Sequence, residues 1–122
     1  MGGPAKMTRR KTRGPVVLRM TQMTIEHTET ETRGKFRLLD ESGTALGEMT
    51  YSRAGTGVII IDHTESYPGN EGRGVGKRLV AAGVAHAREH GLQIVPLCTF
   101  AHAVFERTPE YADVWKNHHA QA

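Results

Sequence analysis

Between Val58 and His90 the sequence pattern changes from that of a strand to that of a helix, across a short glycine-rich loop. The β-branched run Val58–Thr64 is bounded by turn residues and is typical of a buried strand. The segment 66–72, rich in glycine, proline and asparagine, predicts a loop. A helical pattern begins near Gly74 and runs to His90, and Gly91 is placed to cap its end. The predicted apolar side of this helix consists of Val75, Leu79, Val80, Gly83, Val84 and Ala87.

Three strands are predicted ahead of this unit. Polar and β-branched residues alternate over 24–32, which indicates an edge strand, and Arg33-Gly34 reads as a break. Two further strands are predicted over 35–40 and 45–53, joined by short turns into an antiparallel meander. We expect the strand at 58–64 to be the centre of the sheet and to be covered on both faces.

A short strand and a second helix are predicted after the first helix. The strand at 92–97 returns parallel to the one at 58–64, through a crossover expected to be right-handed. Thr99 is predicted to cap a helix that ends at Pro109, and Tyr111–Trp115 to form a last turn. The sequence therefore predicts an α+β fold: a mostly antiparallel sheet with a β-loop-α-β unit and a C-terminal helix.

Length and composition limit the chain to one small globular domain. Its 122 residues are 38% hydrophobic and 24% charged, which excludes collagen-like and long disordered chains. No apolar stretch approaches the roughly 20 residues that cross a bilayer, so no membrane partner is expected. We expect the domain to span 23–116, between an N-terminal arm at 1–22 and a polar tail at 117–122.

The positive charge of the chain is concentrated in the arm. Six of the 16 Lys and Arg residues precede the first acid, Glu26, which leaves ten basic against 13 acidic residues in the rest. The body is thus mildly acidic, and nucleic acid is not an expected partner for it. Three origins stay open for the arm: a tag or non-native start, a targeting segment, or a tether to nucleic acid or a membrane surface.

The segment Glu71–Lys77 predicts an anion site. Glycines at 72, 74 and 76 let successive backbone N–H groups approach a ligand, and a helix N-terminus carries about half a positive charge. It is not a P-loop, because no Lys-Ser/Thr pair closes it, and its glycine spacing is not that of a dinucleotide-binding motif. The alternative is a plain strand-to-helix turn that needs glycine for close packing.

The order of these motifs resembles the small, stand-alone branch of the GNAT acetyltransferase superfamily. The resemblance covers Phe36–Trp115 and rests on Ile61–Glu65, the loop Arg73–Gly76, Val95–Cys98 and Pro109–Tyr111. In that superfamily the loop reads Gln/Arg-x-x-Gly-x-Gly/Ala and its amides bind the coenzyme A pyrophosphate. The matching positions here are Glu71, Gly74 and Gly76, so Glu replaces the usual first residue.

The resemblance implies a site for acetyl-coenzyme A as co-substrate. Pantetheine would enter between two splayed strands, with Ile60–His63 on one wall and Val95–Cys98 on the other. The chain has no room for the elements that build the acceptor pocket in larger relatives, so that side is open or completed by another subunit. The implied coenzyme A-binding residues are Ile61, His63, Arg73, Gly74, Val75, Gly76, Lys77 and Cys98.

Cys98, His63 and Glu65 are the candidate catalytic residues. Cys98 precedes a predicted helix start, where the dipole favours a thiolate, so it can take the acetyl group before an amine does. His63 ends the buried strand and can accept a proton from the amine. Glu65 can act as a base or attract a cationic amine. Each has a structural alternative: a small buried thiol, a hydrogen-bonded strand-end histidine and a solvated carboxylate.

Tyr111 and three other histidines are weaker candidates. Tyr111 either protonates a leaving thiolate or holds the last turn on the sheet. His86, His90 and His102 lie on predicted helices without a matching ligand set, so no metal is expected.

The prediction as a whole is an acetyl-coenzyme A-dependent N-acetyltransferase that acts on an amine of a small molecule or protein. A non-catalytic acyl-coenzyme A-binding or sensor module is the alternative, and a homodimer stays open. A single cysteine, which cannot form an internal disulfide, favours a reducing, cytoplasmic compartment.

Overall fold

The computed structural model describes residues 22–117, which form one five-stranded sheet in the order β1-β2-β3-β4-β5. The predicted arm and most of the predicted tail lie outside these residues. Neighbouring strands β1 to β4 pair antiparallel, and β4 pairs with β5 in parallel. The strands are β1 Thr24–Glu29, β2 Arg33–Leu39, β3 Ala45–Ala54, β4 Val58–Ser66 and β5 Gln93–Pro96. The predicted α+β class and the mostly antiparallel sheet are confirmed.

Two helices and a 3-10 helix follow β4. Helix α1 is Val75–His90, α2 is Thr99–Arg107 and the 3-10 helix is Pro109–Val114. Every residue predicted for the apolar side of α1 is buried, and Gly91 caps the helix at φ 68°, donating its N–H to the Ala87 carbonyl. The cap of α2 is Cys98 and not Thr99, which is the first helical residue. Within residues 22–117 no helix has the length and apolarity to cross a bilayer.

The prediction for the strand at 58–64 is wrong in two respects. The central strand of the sheet is β3, because β4 has only the short β5 outside it. The buried side chains form a single cluster, so the helices cover one face of the sheet. Ile59 and Ile61 face the helices and are fully buried, whereas Val58 and Ile60, on the other face, are only half-buried.

Gly34 lies within β2 and does not break the chain as predicted. A side chain there would overlap the ring of Tyr51 on β3, which lies directly over the glycine. Tyr51 is itself fully buried. The glycine is therefore a packing requirement of the sheet, which depends on a residue far along the chain.

Candidate functional site

The site is built around the part of β4 that extends beyond β5. Pairing between the two strands ends at Ile61 and Pro96, while β4 continues to Ser66. The last link is the Cys98 N–H, which donates to the Ile61 carbonyl at 3.1 Å. Beyond that point β4 continues without β5, so the gap opens two residues later than predicted for Ile60–His63 and Val95–Cys98, whose first residues are still paired. The side chain of Ile61 belongs to the core, so only its main chain faces this gap.

A β-bulge at Asp62 marks the place where β4 leaves β5. Across from β4, Thr50 pairs with His63 and Tyr51 with Ile61, so Asp62 is an extra residue in β4. Ser52 donates its hydroxyl to the Asp62 carboxylate at 2.6 Å. Bulges redirect side chains beside functional sites. No local signal in the sequence predicts the bulge at Asp62, because a bulge depends on the register between strands.

The first turn of α1 presents backbone N–H groups beside the gap. Gly74 precedes the helix at φ 70°, and no side chain caps it. The first helical hydrogen bond runs from the Arg78 N–H to the Gly74 carbonyl at 3.0 Å. The amides of Val75, Gly76 and Lys77 meet no acceptor among residues 22–117, as is usual for a helix start. Together with the helix dipole, these amides favour an anion.

Asn70 and Tyr67 fix the loop that leads into α1. The Asn70 side-chain amide donates to the Leu46 carbonyl at 3.3 Å and to the Tyr67 carbonyl at 3.1 Å. Its oxygen accepts from Arg73 at 3.1 Å. The Tyr67 hydroxyl donates to Glu48 at 2.9 Å, and burial, followed by that carboxylate, raises the pKa of Tyr67. Neither residue stood out in the sequence, where both read only as loop formers.

Glu71, the departure from the usual loop sequence, turns toward the loop itself. Its Oε2 accepts the Gly69 N–H at 3.4 Å. The carboxylate therefore has a partner within the loop.

Gly47 and Gly76 allow the backbone to come close at the base of α1. A Cβ at Gly47 would collide with the Glu65 carbonyl of β4 and with the Val75 side chain. A Cβ at Gly76 would lie 2.6 Å from the ring of Phe100 on α2. These contacts set the position of the helix start. Phe100 stays 42% exposed and Leu97, at the end of β5, 66% exposed, so both leave apolar surface beside the gap.

Cys98 lies at the helix end of the gap and is half-buried. Its Sγ accepts the Ala101 N–H at 3.4 Å and lies 3.4 Å from the Thr64 hydroxyl. These two contacts fix the sulfur between the N-terminus of α2 and β4.

His63 and Glu65 lie on the other side of β4 from Cys98. Thr64 is opposite the buried Met49, so it faces the helices, while its neighbours face away from them. The Nε2 of His63 is 3.3 Å from Oε1 of Glu65, and both side chains are about half exposed, at 57% and 48%. The structure thus places His63 with Glu65 and gives neither a contact with Cys98.

Lys77 and Arg107 line a cavity of about 220 Å³ beside the first turn of α1, together with Val104, Thr108 and Tyr111. Neither cation has an ion-pair partner within the described residues. Tyr111 packs against Phe105, with ring centroids 5.5 Å apart, and lies 6.0 Å from the Arg88 guanidinium. These contacts join the last turn to α2 and α1.

Comparison with known proteins agrees with this architecture. A family model described as GCN5-related N-acetyl-transferase matches residues 35–114. No curated protein matches the chain.

Three solved structures illustrate the structural likeness. A GCN5-like protein from Staphylococcus aureus is 38% identical, covers 80% of this chain and 96% of its own, and has a TM-score of 0.58. An IAA acetyltransferase from Bacillus cereus is 13% identical over 70% of this chain and 75% of its own, with a TM-score of 0.54. An acetyltransferase from Trypanosoma brucei is 18% identical over 62% and 60%, with a TM-score of 0.50.

The last two likenesses concern the fold alone. The family model covers most of the described residues, and the Staphylococcus aureus protein is matched over nearly its whole length. This chain therefore belongs to the family of GCN5-related N-acetyltransferases.

Proposed function

We propose that this protein binds acetyl-coenzyme A and transfers the acetyl group to an amine, in the cytoplasm and through a domain that spans residues 23–116. The observation that carries the proposal is the juxtaposition of the open β4 edge beyond Ile61 with the free amides at Val75–Lys77. An extended pantetheine arm can add to the open edge as a short strand would, while its diphosphate meets the amides. Family membership supports the same ligand.

Separate groups would hold separate parts of the ligand. The amides of Val75, Gly76 and Lys77 would bind the diphosphate, and Arg73 and Lys77 would add positive charge. The main chain of Ile61 and His63 would run beside the pantetheine. Cys98 would border the thioester from the helix side of the sheet.

In the direct reaction His63 would act as the general base. The amine nitrogen attacks the thioester carbonyl carbon, the carbon–sulfur bond breaks, and coenzyme A leaves as the thiolate. His63 takes the proton that the nitrogen loses, and Glu65 orients the imidazole from 3.3 Å. The exposed Glu65 carboxylate also attracts a cationic amine to this side of β4, where the ammonium gives one proton to water before the neutral nitrogen attacks.

Cys98 offers a second route to the same product. Its thiolate attacks the carbonyl carbon, so that an acetyl-cysteine forms and free coenzyme A leaves. The amine then attacks the new thioester and regenerates the thiol. The Ala101 N–H and the Thr64 hydroxyl both lie 3.4 Å from the sulfur and would hold it beside the thioester.

Calorimetry with coenzyme A tests the binding step. Gly74→Val should weaken binding by the roughly 1.5–3 kcal/mol expected for a lost hydrogen bond to a charged group. A Cβ at Gly74 meets no protein atom, so Gly74→Val acts by obstructing the approach of the ligand to the amides and by straining the backbone at φ 70°. Gly43→Val is the matched control, since Gly43 also has a positive φ, 91°, and open space, but lies in the β2–β3 turn. Equal affinity in a folded Gly74→Val would place the diphosphate elsewhere.

Intact-mass spectrometry tests the chemistry. After incubation with acetyl-coenzyme A, with and without polyamines and lysine peptides, a covalent adduct on Cys98 supports the second route. If transfer is direct, Cys98→Ala keeps most activity and His63→Ala loses about 10²–10⁴-fold. Binding with neither an adduct nor an acetylated amine would make the protein an acyl-coenzyme A-binding module.

A further inference from the structure

A second cluster of polar side chains lies where β1 meets the C-terminal half of α1. His27 and Glu29 of β1 and His86 of α1 have donor atoms that all lie within 4.8 Å of one another. His86 is about 16 Å along the helix axis from Val75, at a rise of 1.5 Å per residue. The cluster is therefore separate from the amides proposed to bind coenzyme A.

His86 carries an unpaired polar atom. Its Nε2 is buried and has no hydrogen-bond partner within residues 22–117. Buried polar atoms are nearly always hydrogen-bonded, so an unpaired imidazole nitrogen is a candidate ligand atom. The His86 ring stands edge-on to that of His27, with centroids 4.6 Å apart.

We propose that His27, Glu29 and His86 form a binding site for a divalent transition metal, for which Zn²⁺ is the best match. Two imidazoles and one carboxylate are a recognised zinc ligand set, which leaves a fourth position for water. The Nε2 of His27 lies 3.9 Å from Oε1 of Glu29. Donors around a tetrahedral zinc lie about 3.3 Å apart, given bonds of about 2.0–2.1 Å. Donor atoms that lie up to 4.8 Å apart must therefore move closer by up to about 1.5 Å, to which the half-exposed Glu29 can contribute by rotation.

Tyr51 and Arg53 surround the carboxylate of this site. The Tyr51 hydroxyl donates to Oε1 of Glu29 at 2.7 Å and lies 2.8 Å from Nε2 of His27. Arg53 donates to the same Oε1 at 3.0 Å. Because Tyr51 and Arg53 both donate to Oε1, the other carboxylate oxygen of Glu29 is available to a metal. The side chains that bind a metal usually accept or donate hydrogen bonds to neighbouring residues, which fix their orientation.

Two features oppose the metal and limit its affinity. His27 must exchange its Tyr51 partner for the ion, and the positive charge of Arg53 repels a cation. Two other effects favour the metal: it would bind the unpaired His86 nitrogen, and it would link the edge strand β1 to α1. Metal binding should therefore stabilise the fold.

Calorimetric titration of the full chain with ZnCl₂ tests the site. Wild-type protein should bind Zn²⁺ in one tight phase. His86→Asn and Glu29→Gln should each lower the Zn²⁺ affinity of that phase by at least roughly 10–100-fold, which is the loss known for residues that only support a metal ligand. His102→Asn is the matched control, because His102 lies on α2 and pairs with Glu106 at 3.6 Å. ZnCl₂ should raise the melting temperature of wild type and His102→Asn, but not that of Glu29→Gln.

The controls separate this site from other metal-binding groups. Glu29 is exposed, so Glu29→Gln gives a folded variant even if His86→Asn does not, and circular dichroism checks both. A Co²⁺-loaded sample should give visible bands without the sulfur charge-transfer band that binding at Cys98 would produce. Equal Zn²⁺ affinity in wild type and Glu29→Gln, a sulfur band, or no binding at all would overturn the proposal.

Discussion

The hydroxyl of Thr64 lies 3.4 Å from the Sγ of Cys98, across the gap where β4 and β5 separate. Thr64→Val removes the hydroxyl and keeps the shape of the side chain. If the hydroxyl holds the sulfur in position for attack, Thr64→Val should slow alkylation of Cys98 by iodoacetamide severalfold at pH 8, and acetyl-coenzyme A should protect the thiol in both proteins.

Thr99→Val is the control for this experiment, because Thr99 is next to Cys98 in sequence and has no described contact with the sulfur. An alkylation rate in Thr64→Val that matches wild type would show that the hydroxyl does not act on the thiol.

Gly47 should be as important for coenzyme A binding as the glycines of the loop, although it lies on β3. A methyl group at this position would collide with the main chain of Glu65 and with Val75. Gly47→Ala should therefore cost about 1–3 kcal/mol of unfolding free energy, as overpacking does, and should displace the start of α1. Denaturant unfolding and coenzyme A calorimetry measure the two effects. Gly57→Ala, where a Cβ meets nothing within 4 Å, should change neither.

The periodic parts of the fold could be predicted because their signals are local. The apolar side of α1, from Val75 to Ala87, follows from residues that are neighbours on one helix, and Gly91 ends the helix in the predicted way. The parallel return of β5 follows from the length of the helical connection. The glycine loop and Cys98 are candidates for the same reason, since each lies next to a predicted helix start.

The remaining features depend on contacts between segments far apart in the sequence. Gly34 reads as a break until the ring of Tyr51 is seen to cover it. The bulge at Asp62 exists only in the register between β3 and β4. No ligand set for His86 is visible in the sequence, because His27 and Glu29, whose donor atoms lie within 4.8 Å of it, belong to the distant strand β1.

Arg107 should recognise a phosphate of coenzyme A, because it shares a cavity with Lys77 beside the free amides of α1. We expect Arg107→Ala to weaken coenzyme A binding and to have less effect on dephospho-coenzyme A, which lacks the 3′-phosphate. Calorimetry with both ligands gives the ratio. The control is Arg53→Ala, since Arg53 pairs with Glu29 at 3.0 Å near the end of β3 and does not line this cavity. Equal losses for the two ligands would assign Arg107 to the diphosphate.

Deletion of residues 1–20 should leave the melting temperature and the coenzyme A affinity nearly unchanged. The family match begins at residue 35. Met23 is the first described residue that packs against the core. Differential scanning calorimetry compares the two chains. A fall of several degrees would mean that the arm contributes to the fold, and a fall in affinity alone would mean that it contacts the ligand.

Tyr67 should make the protein lose stability at alkaline pH. Burial first, and then the neighbouring carboxylate of Glu48, raise the pKa of Tyr67 above its usual value near 10 in the folded state. An acid whose pKa is raised by folding stabilises the protein below the unfolded pKa, and this stability is lost as the pH rises above about 10. Tyr67→Phe should therefore melt at a lower temperature than wild type at pH 8, because the hydrogen bond to Glu48 is gone, and the difference should shrink between pH 10 and 11. Thermal melts of both proteins across this range measure the effect.

Tyr51 has a pKa raised chiefly by burial and is present in both proteins, so its share of the alkaline loss cancels in the comparison. A constant difference between the two melting temperatures would show that folding does not alter the ionisation of Tyr67.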